Sequence, residues 1–412
     1  MNGLRVLGVC LSLWLPMDDC RGAASSVAAP TAEERERLQL DPFYEKLASA
    51  QGFPIVSSAK VADAALLEAV WIIDQMLEHR PDVRAELIRH KTRLCIMATS
   101  EFTTDLPDFA DLQPKFYWDR RARGLGGDVS LSCGEENLLC YPGDPYAAEN
   151  ILIHEFAHTI DAALRRLDPA FGERLETAFR EARAAGLWKG AYAGTNPAEY
   201  WAEGVQCWFD NNRENDREHN HVNTRQELKV YDPALAELVL GMFGETPWKY
   251  SRPETRTDLP HLASWNAAEA PRFEWPARLL ETNRKFFDEL PGTDPPASPP
   301  AAEWTELSAL PAESIASQKS TTGGPPVTVF LINRTDEELK IAWIDFEGHP
   351  KVYDRLRPGF PSQQSTFAGH VWLATTLDDQ PVAAFVAGKQ LGRAVITATP
   401  AAKSTTDQPA PR

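Results

Sequence analysis

Apolar positions along this chain follow two different rhythms. As far as about residue 245 they gather at helical spacing or in short continuous runs. Residues 64–77 (AALLEAVWIIDQML) have the apolar density of a buried helix, and 93–98 (RLCIMA) form a short core strand. Residues 124–132 (GLGGDVSLS) alternate enough for a strand with a glycine-rich entry, and such a strand, at residues 127–132, could pair with a substrate backbone from the sheet edge. Two further segments, 171–185 and 233–243, predict scaffold helices, while 25–58 hold too few apolar residues for a packed core element. Beyond residue 325 the runs shorten and acquire turn residues between them. Residues 327–332 (VTVFLI), 339–344 (LKIAWI), 370–374 (HVWLA) and 382–386 (VAAFV) predict strands of a small sandwich, with connections at 333–335 and 347–348. The expected architecture is an α+β domain followed by an all-β sandwich.

Between the two regimes lies LPGTDPPASPPA at 290–301, whose prolines favour an extended linker. The predicted division is therefore 25–285 for the first domain (core about 60–245), 286–312 for the linker and 313–397 for the sandwich. The Pro-, Ala- and Thr-rich residues 398–412 form a disordered tail. At the other end, Arg5 precedes an apolar run at 6–16 and small residues at 22–24, the layout of a signal peptide over 1–24. The run is too short to span a bilayer, so a secreted or periplasmic protein is expected. A net charge of −17 with no lysine–arginine stripe argues against nucleic acid or an anionic membrane as partner. Cleavage after residue 24 leaves Cys95, Cys133, Cys140 and Cys207, an even number that favours disulfides in an exported protein. The short loop between Cys133 and Cys140 makes them the expected bridge. Cys95 and Cys207 lie in apolar surroundings, as free thiols or a second bridge.

The chemistry is carried by ILIHEFAHTI at 151–160, an H-E-x-x-H pattern within a helix apolar on most sides. At 3.6 residues per turn His154 and His158 share a face and can bind the same ion, and Glu155 can act as general base on a water beside it. Asp161 is placed to orient a ligand imidazole through its second nitrogen. Zinc of this type needs a third protein ligand, and Glu199 in YAGTNPAEYWAE is the candidate. Asn196 and Pro197 start a helix there, and Glu203, one turn on, can support a ligand histidine. His219 and His221, in an Asn- and charge-rich stretch, read as solvated loop residues.

HEFAHTID and YAGTNPAEYWAE together resemble the zinc-protease domain of anthrax lethal factor and its relatives, over about residues 145–210. That resemblance implies a single zinc ion held by His154, His158 and Glu199, Glu155 as base, and Tyr192 as an oxyanion donor. The segment 315–388 is similar to the β domain of the von Hippel–Lindau tumour suppressor family. It matches in NRT at 333–335, WIDFEG at 343–348, YDRLRPG at 353–359 and TFAGHVWL at 366–373. This implies a binding surface for a proline- or hydroxyproline-containing peptide at Trp343, Tyr353, Thr366, His370 and Trp372, threonine standing where the family has serine. The helical part that recruits the ubiquitin-ligase machinery has no counterpart, so no ligase role is expected. The sequence thus predicts a secreted zinc metalloendopeptidase acting on protein or peptide, with a tethered sandwich raising the local concentration of a docked substrate. Its rivals are a binding protein with a structural zinc and a zinc hydrolase of a non-peptide amide or ester.

Overall fold

The computed structural model describes residues 26–263, 265–288 and 304–397, so the expected signal peptide, most of the expected linker and the expected tail fall outside the described residues. The first unit is built on a five-stranded sheet in the order β1-β2-β3-β5-β4. Its strands are β1 (Lys46–Ala50), β2 (Phe53–Ser57), β3 (Arg93–Met97), β4 (Gly124–Leu125) and β5 (Ser130–Gly134). β1 and β2 form a hairpin whose two turn residues, Gln51 and Gly52, both have positive φ (48° and 96°), the turn that matches strand twist. β2, β3 and β5 run parallel, and β4 closes the edge antiparallel to β5. Residues 46–57, expected to contribute no core, form this hairpin, and β2 is buried at every position. The apolar residues of the hairpin are used on both faces: Ala48, Ala50, Phe53 and Ile55 lie beneath the helix Asp63–Met76, and Val56 joins Tyr44, Cys95 and Met97 on the other side.

One face of the sheet carries the helices Asp63–Met76, Pro81–Arg89 and Ile151–Leu167. Phe53, Ile55, Leu94, Ile96, Leu152, Phe156 and Ile160 are fully buried in one cluster that continues to Trp201, Trp208 and Phe209. The expected substrate-pairing strand needs correcting: the edge is the two-residue β4, and β5 lies inside it. The glycines of that entry have a packing reason. A Cβ on Gly124 would stand 2.2 Å from Ile151 Cγ2, and one on Gly126 would stand 2.7 Å from His158 Cβ. Only glycine lets the backbone lie this close to the helix that bears the histidines.

The second unit is a sandwich. One sheet has the order β10-β7-β13-β6 and the other β12-β11-β8-β9. The strands are β6 (Thr305–Glu306), β7 (Pro326–Asn333), β8 (Leu339–Ile344), β9 (Pro350–Leu356), β10 (Pro361–Phe367), β11 (Val371–Thr375), β12 (Pro381–Val386) and β13 (Gly392–Ile396). Val329, Leu331, Ile341, Trp372, Phe385 and Ile396 meet between the sheets. The predicted boundaries shift accordingly. The helix Ala277–Asp288 runs into the expected linker, and the sandwich begins at β6, because Leu310 and Ile315 cover the outer face of β8 and β11.

The two units are packed together. On β7, Val329 and Leu331 point into the sandwich, so Phe330 points away from it, and Phe330 is nonetheless fully buried. It lies against Tyr117 (ring centroids 4.5 Å apart) and Phe286 (5.1 Å) of the first unit, with Phe116, Phe287 and Trp304 around them.

Candidate metal centre

Asn150 caps the helix Ile151–Leu167 by accepting from the Ile153 N–H (3.3 Å), and Asn196 caps Pro197–Trp208 by accepting from the Glu199 N–H (2.9 Å). The two helices pack with His154, His158 and Glu199 facing one another. His154 Nε2 stands 3.1 Å from Glu199 Oε2 and 3.2 Å from His158 Nε2, and His158 Nε2 is 3.4 Å from the same carboxylate oxygen. Donors held roughly 2.0–2.1 Å from a tetrahedral zinc ion stand about 3.3 Å apart, so this triangle fits one face of such a site. His154, His158 and Glu199 form a group that could hold a metal ion.

The hydrogen-bond network makes the same point. Gln206 donates from Nε2 to Glu149 (2.8 Å), which leaves its Oε1 to accept from His154 Nδ1–H (2.7 Å). With the proton on Nδ1, the His154 Nε2 lone pair points at an imidazole nitrogen and a carboxylate oxygen, an arrangement satisfied by a cation among them, whether a metal ion or a proton on Nε2. Burial disfavours a charged His154, but Glu199, Glu155 and Glu203 outweigh it and hold its pKa well above the imidazole range. Burial likewise pushes the Glu199 carboxyl up, and the two histidines overcome it to hold that carboxyl far below the usual range. Glu155, not part of the triangle, is raised by burial against the pull of both histidines, the direction a general base needs.

Glu203 Oε1 lies 3.7 Å from His154 Nδ1, behind the ligand, and Asn212 donates to its other oxygen (2.9 Å). Tyr192 stacks with the His154 ring at 6.3 Å, and the Arg121 guanidinium lies against its hydroxyl, which burial and Glu199 keep protonated. Asp161 does not orient His158: its carboxylate accepts from Arg165 Nε at 2.8 Å, one turn along the same helix. His219 is not solvated. It is buried, 3.4 Å from Glu203 and 2.9 Å from Asp216, and forms a layer behind Glu203. Gln206 and Glu149 went unread in the sequence; Gln206, seven residues after Glu199, lies on its face of the helix, the one local signal for it.

No disulfide joins Cys133 to Cys140; both are free thiols, as are Cys95 and Cys207. Cys133 points into the core from β5, whereas Cys140, after the short helix Glu135–Leu138, turns its Sγ to Asn137 O and Tyr250 Oη (both 3.8 Å). A second acidic group, Asp345, Glu347 and His349, sits in the β8–β9 turn. There Asp345 already accepts the N–H of Glu347 (3.0 Å) and His349 (2.8 Å), which accounts for it as a turn.

The triangle opens into a cleft of about 1230 Å³ whose floor includes His154, Glu155, Tyr192 and Glu199 and whose opposite wall is the β9–β10 region of the sandwich. The other predicted surface lies on the sandwich itself. Trp343 stands 5.2 Å from the His370 ring and 6.5 Å from Tyr353, and Tyr353 is 5.4 Å from Trp372. Trp372 Nε1–H donates to Thr366 Oγ1 (3.2 Å), which is 3.0 Å from His370 Nδ1. The five residues therefore meet in one patch, with Tyr353 61% exposed at its rim and the Trp343 indole N–H without a partner.

Residues 317–384 match the family model of the VHL beta domain. No curated protein matches the chain. The family match lies wholly within the sandwich, so the C-terminal unit is VHL-like in sequence.

Proposed function

We propose that this chain is an exported zinc metallopeptidase of the lethal-factor type whose VHL-like sandwich binds protein. The observation that carries the reading is the convergence of three acceptor atoms, from His154, His158 and Glu199, beside an uncoordinated Glu155 in an open cleft. When bound, a zinc ion supplies Lewis acidity at this position, acidifying water towards pKa ~7 and polarising a carbonyl. Glu155 takes the proton as water attacks the scissile carbonyl, and returns it to the leaving amine as the C–N bond breaks. The Tyr192 hydroxyl, with Arg121 behind it, donates to the oxygen on which negative charge develops. Gln206 holds His154 in the tautomer that presents Nε2. The expected result for residues 25–412 is zinc at one ion per chain and hydrolysis of casein that a chelator stops. Stoichiometric zinc with no hydrolysis across a peptide library would favour a structural site or a non-peptide substrate, and no zinc would remove the proposal.

The orphaned Trp343 N–H and the Thr366–His370 pair give the sandwich its own ligand chemistry: aromatic walls for a pyrrolidine ring and polar groups for its hydroxyl. Trp343→Ala is expected to weaken binding of a hydroxyproline peptide by about tenfold or more, read by titration calorimetry. Equal affinity for proline and hydroxyproline peptides would leave the polar pair without that role. The four free thiols take away the support that a disulfide would have lent to export, which rests on residues 1–24 alone.

A further inference from the structure

The wall of the cleft facing the metal site carries an excess of guanidinium groups. Arg217 comes from the loop after the helix Pro197–Trp208, and Arg355 and Arg357 come from the end of β9 and the turn that follows. Arg217 and Arg357 each lie 4.3 Å from the centroid of the Phe360 ring. Each crosses between the units to a single carbonyl: Arg217 Nη2 donates to Pro358 O (3.3 Å), and Arg357 Nη1 donates to Gly190 O (3.0 Å). Gly359 makes room for this, since a Cβ there would stand 2.7 Å from Arg217 Nη2. Arg355 is exposed. Among the described residues none of the three has a carboxylate within ion-pair distance.

Apart from Glu155, the carboxylates that share the cleft have other partners. Glu149 and Glu218 are held by Arg213 (3.1 and 3.0 Å), Asp354 accepts from Ser362 Oγ (2.5 Å), and Glu199 and Glu203 belong to the metal centre. Two guanidiniums, Arg217 and Arg357, are thus fixed in place by stacking and carbonyl contacts, and Arg355 stands exposed at the end of β9, in a chain of net charge −17. A guanidinium fork is matched by the planar, bidentate carboxylate.

We infer that the cleft selects acidic peptide segments, with Arg217, Arg355 and Arg357 holding Asp or Glu side chains against the sandwich wall. This rests on the reading of the cleft as a peptide-binding site and adds the class of peptide it takes. The three arginines are specificity residues; none touches the reacting atoms.

The test uses the full chain carrying Glu155→Gln, which binds without turning over. Fluorescein-labelled peptides of alternating Ala-Glu, Ala-Gln and Ala-Lys are titrated by fluorescence anisotropy. The Glu peptide is expected to bind about tenfold more tightly than the Gln peptide at low salt, with the preference shrinking as salt is raised. Arg355→Glu, on an exposed side chain that holds no other element, should remove most of that preference. The triple variant R217Q/R355Q/R357Q should abolish it. Equal binding of the Glu and Gln peptides, tighter binding of the Lys peptide, or no effect of Arg355→Glu would overturn the inference. So would displacement by a single-stranded oligonucleotide at lower concentration than by the unlabelled Glu peptide. Because binding is read without cleavage, an arginine-dependent Glu preference in a protein that never hydrolyses casein would sink the peptidase reading and leave this one standing.

Discussion

Glu155→Gln is expected to abolish the proposed peptide hydrolysis and to leave zinc binding intact. The expected fall in kcat is about 100- to 10,000-fold, the usual contribution of a positioned general base. The geometry separates the two readouts. The metal triangle is closed by His154, His158 and Glu199 at 3.1–3.4 Å, and Glu155 is not one of its corners, so an isosteric amide removes the base and no ligand. The amide also removes one of the carboxylates that hold the His154 pKa up, a change bound zinc would mask because it occupies the same lone pair. The measurement is hydrolysis of casein beside zinc determined by elemental analysis of the same preparation. Hydrolysis retained with full zinc would show that Glu155 is not the base. Activity and zinc lost together would place Glu155 among the ligands or show that the helix had rearranged.

How much of this was legible depends on how local each signal is. Two histidines four apart and a capped helix start at Asn196–Pro197 are signals each local to one helix, so the pattern alone brings His154, His158 and Glu199 forward. The layer behind them is not local. His219 sits in a stretch whose composition is that of solvent-facing loop, and it is buried only because Glu203 and Asp216 arrive from either side. Asp161 fails for the converse reason: Arg165, four residues on, competes for it on the same helix, and the nearer partner wins. Cys133 and Cys140 are close in sequence but part company because a β-strand side chain and the residue after a helical turn face different ways. Four of the sandwich strands, β7, β8, β11 and β12, were readable as short apolar runs between turn residues. Their VHL-like motif also carried β9, which is polar and mostly exposed and has no hydrophobic signature of its own.

Joining the two units into one cleft was beyond the sequence reading, although one strand held a sign of it. VTVFLI at 327–332 is apolar on both faces, and a strand of a small sandwich needs only one apolar face unless something covers the other. What covers it is the aromatic group around Tyr117 and Phe286. A tethered sandwich would act only by concentrating a docked substrate, and removing it would leave short-peptide cleavage intact. A sandwich that forms a wall of the metal cleft cannot be removed so cleanly.

Phe330→Ala tests this directly. The side chain is fully buried and faces away from the sandwich core, so truncating it opens a cavity between the units, at an expected cost of about 3–5 kcal/mol. Chemical denaturation of the full chain should report that loss, and limited proteolysis should now cut between the units. Zinc content should stay at the unmutated level, since no part of the metal triangle touches Phe330. Short-peptide hydrolysis should fall with the loosened wall, which a merely tethered sandwich would not produce. A loss below about 1 kcal/mol would mean that the aromatic cluster is solvated and the two units are independent. A full-sized loss with unchanged hydrolysis of acidic and neutral short peptides would mean that they dock firmly but that the sandwich contributes nothing to the site.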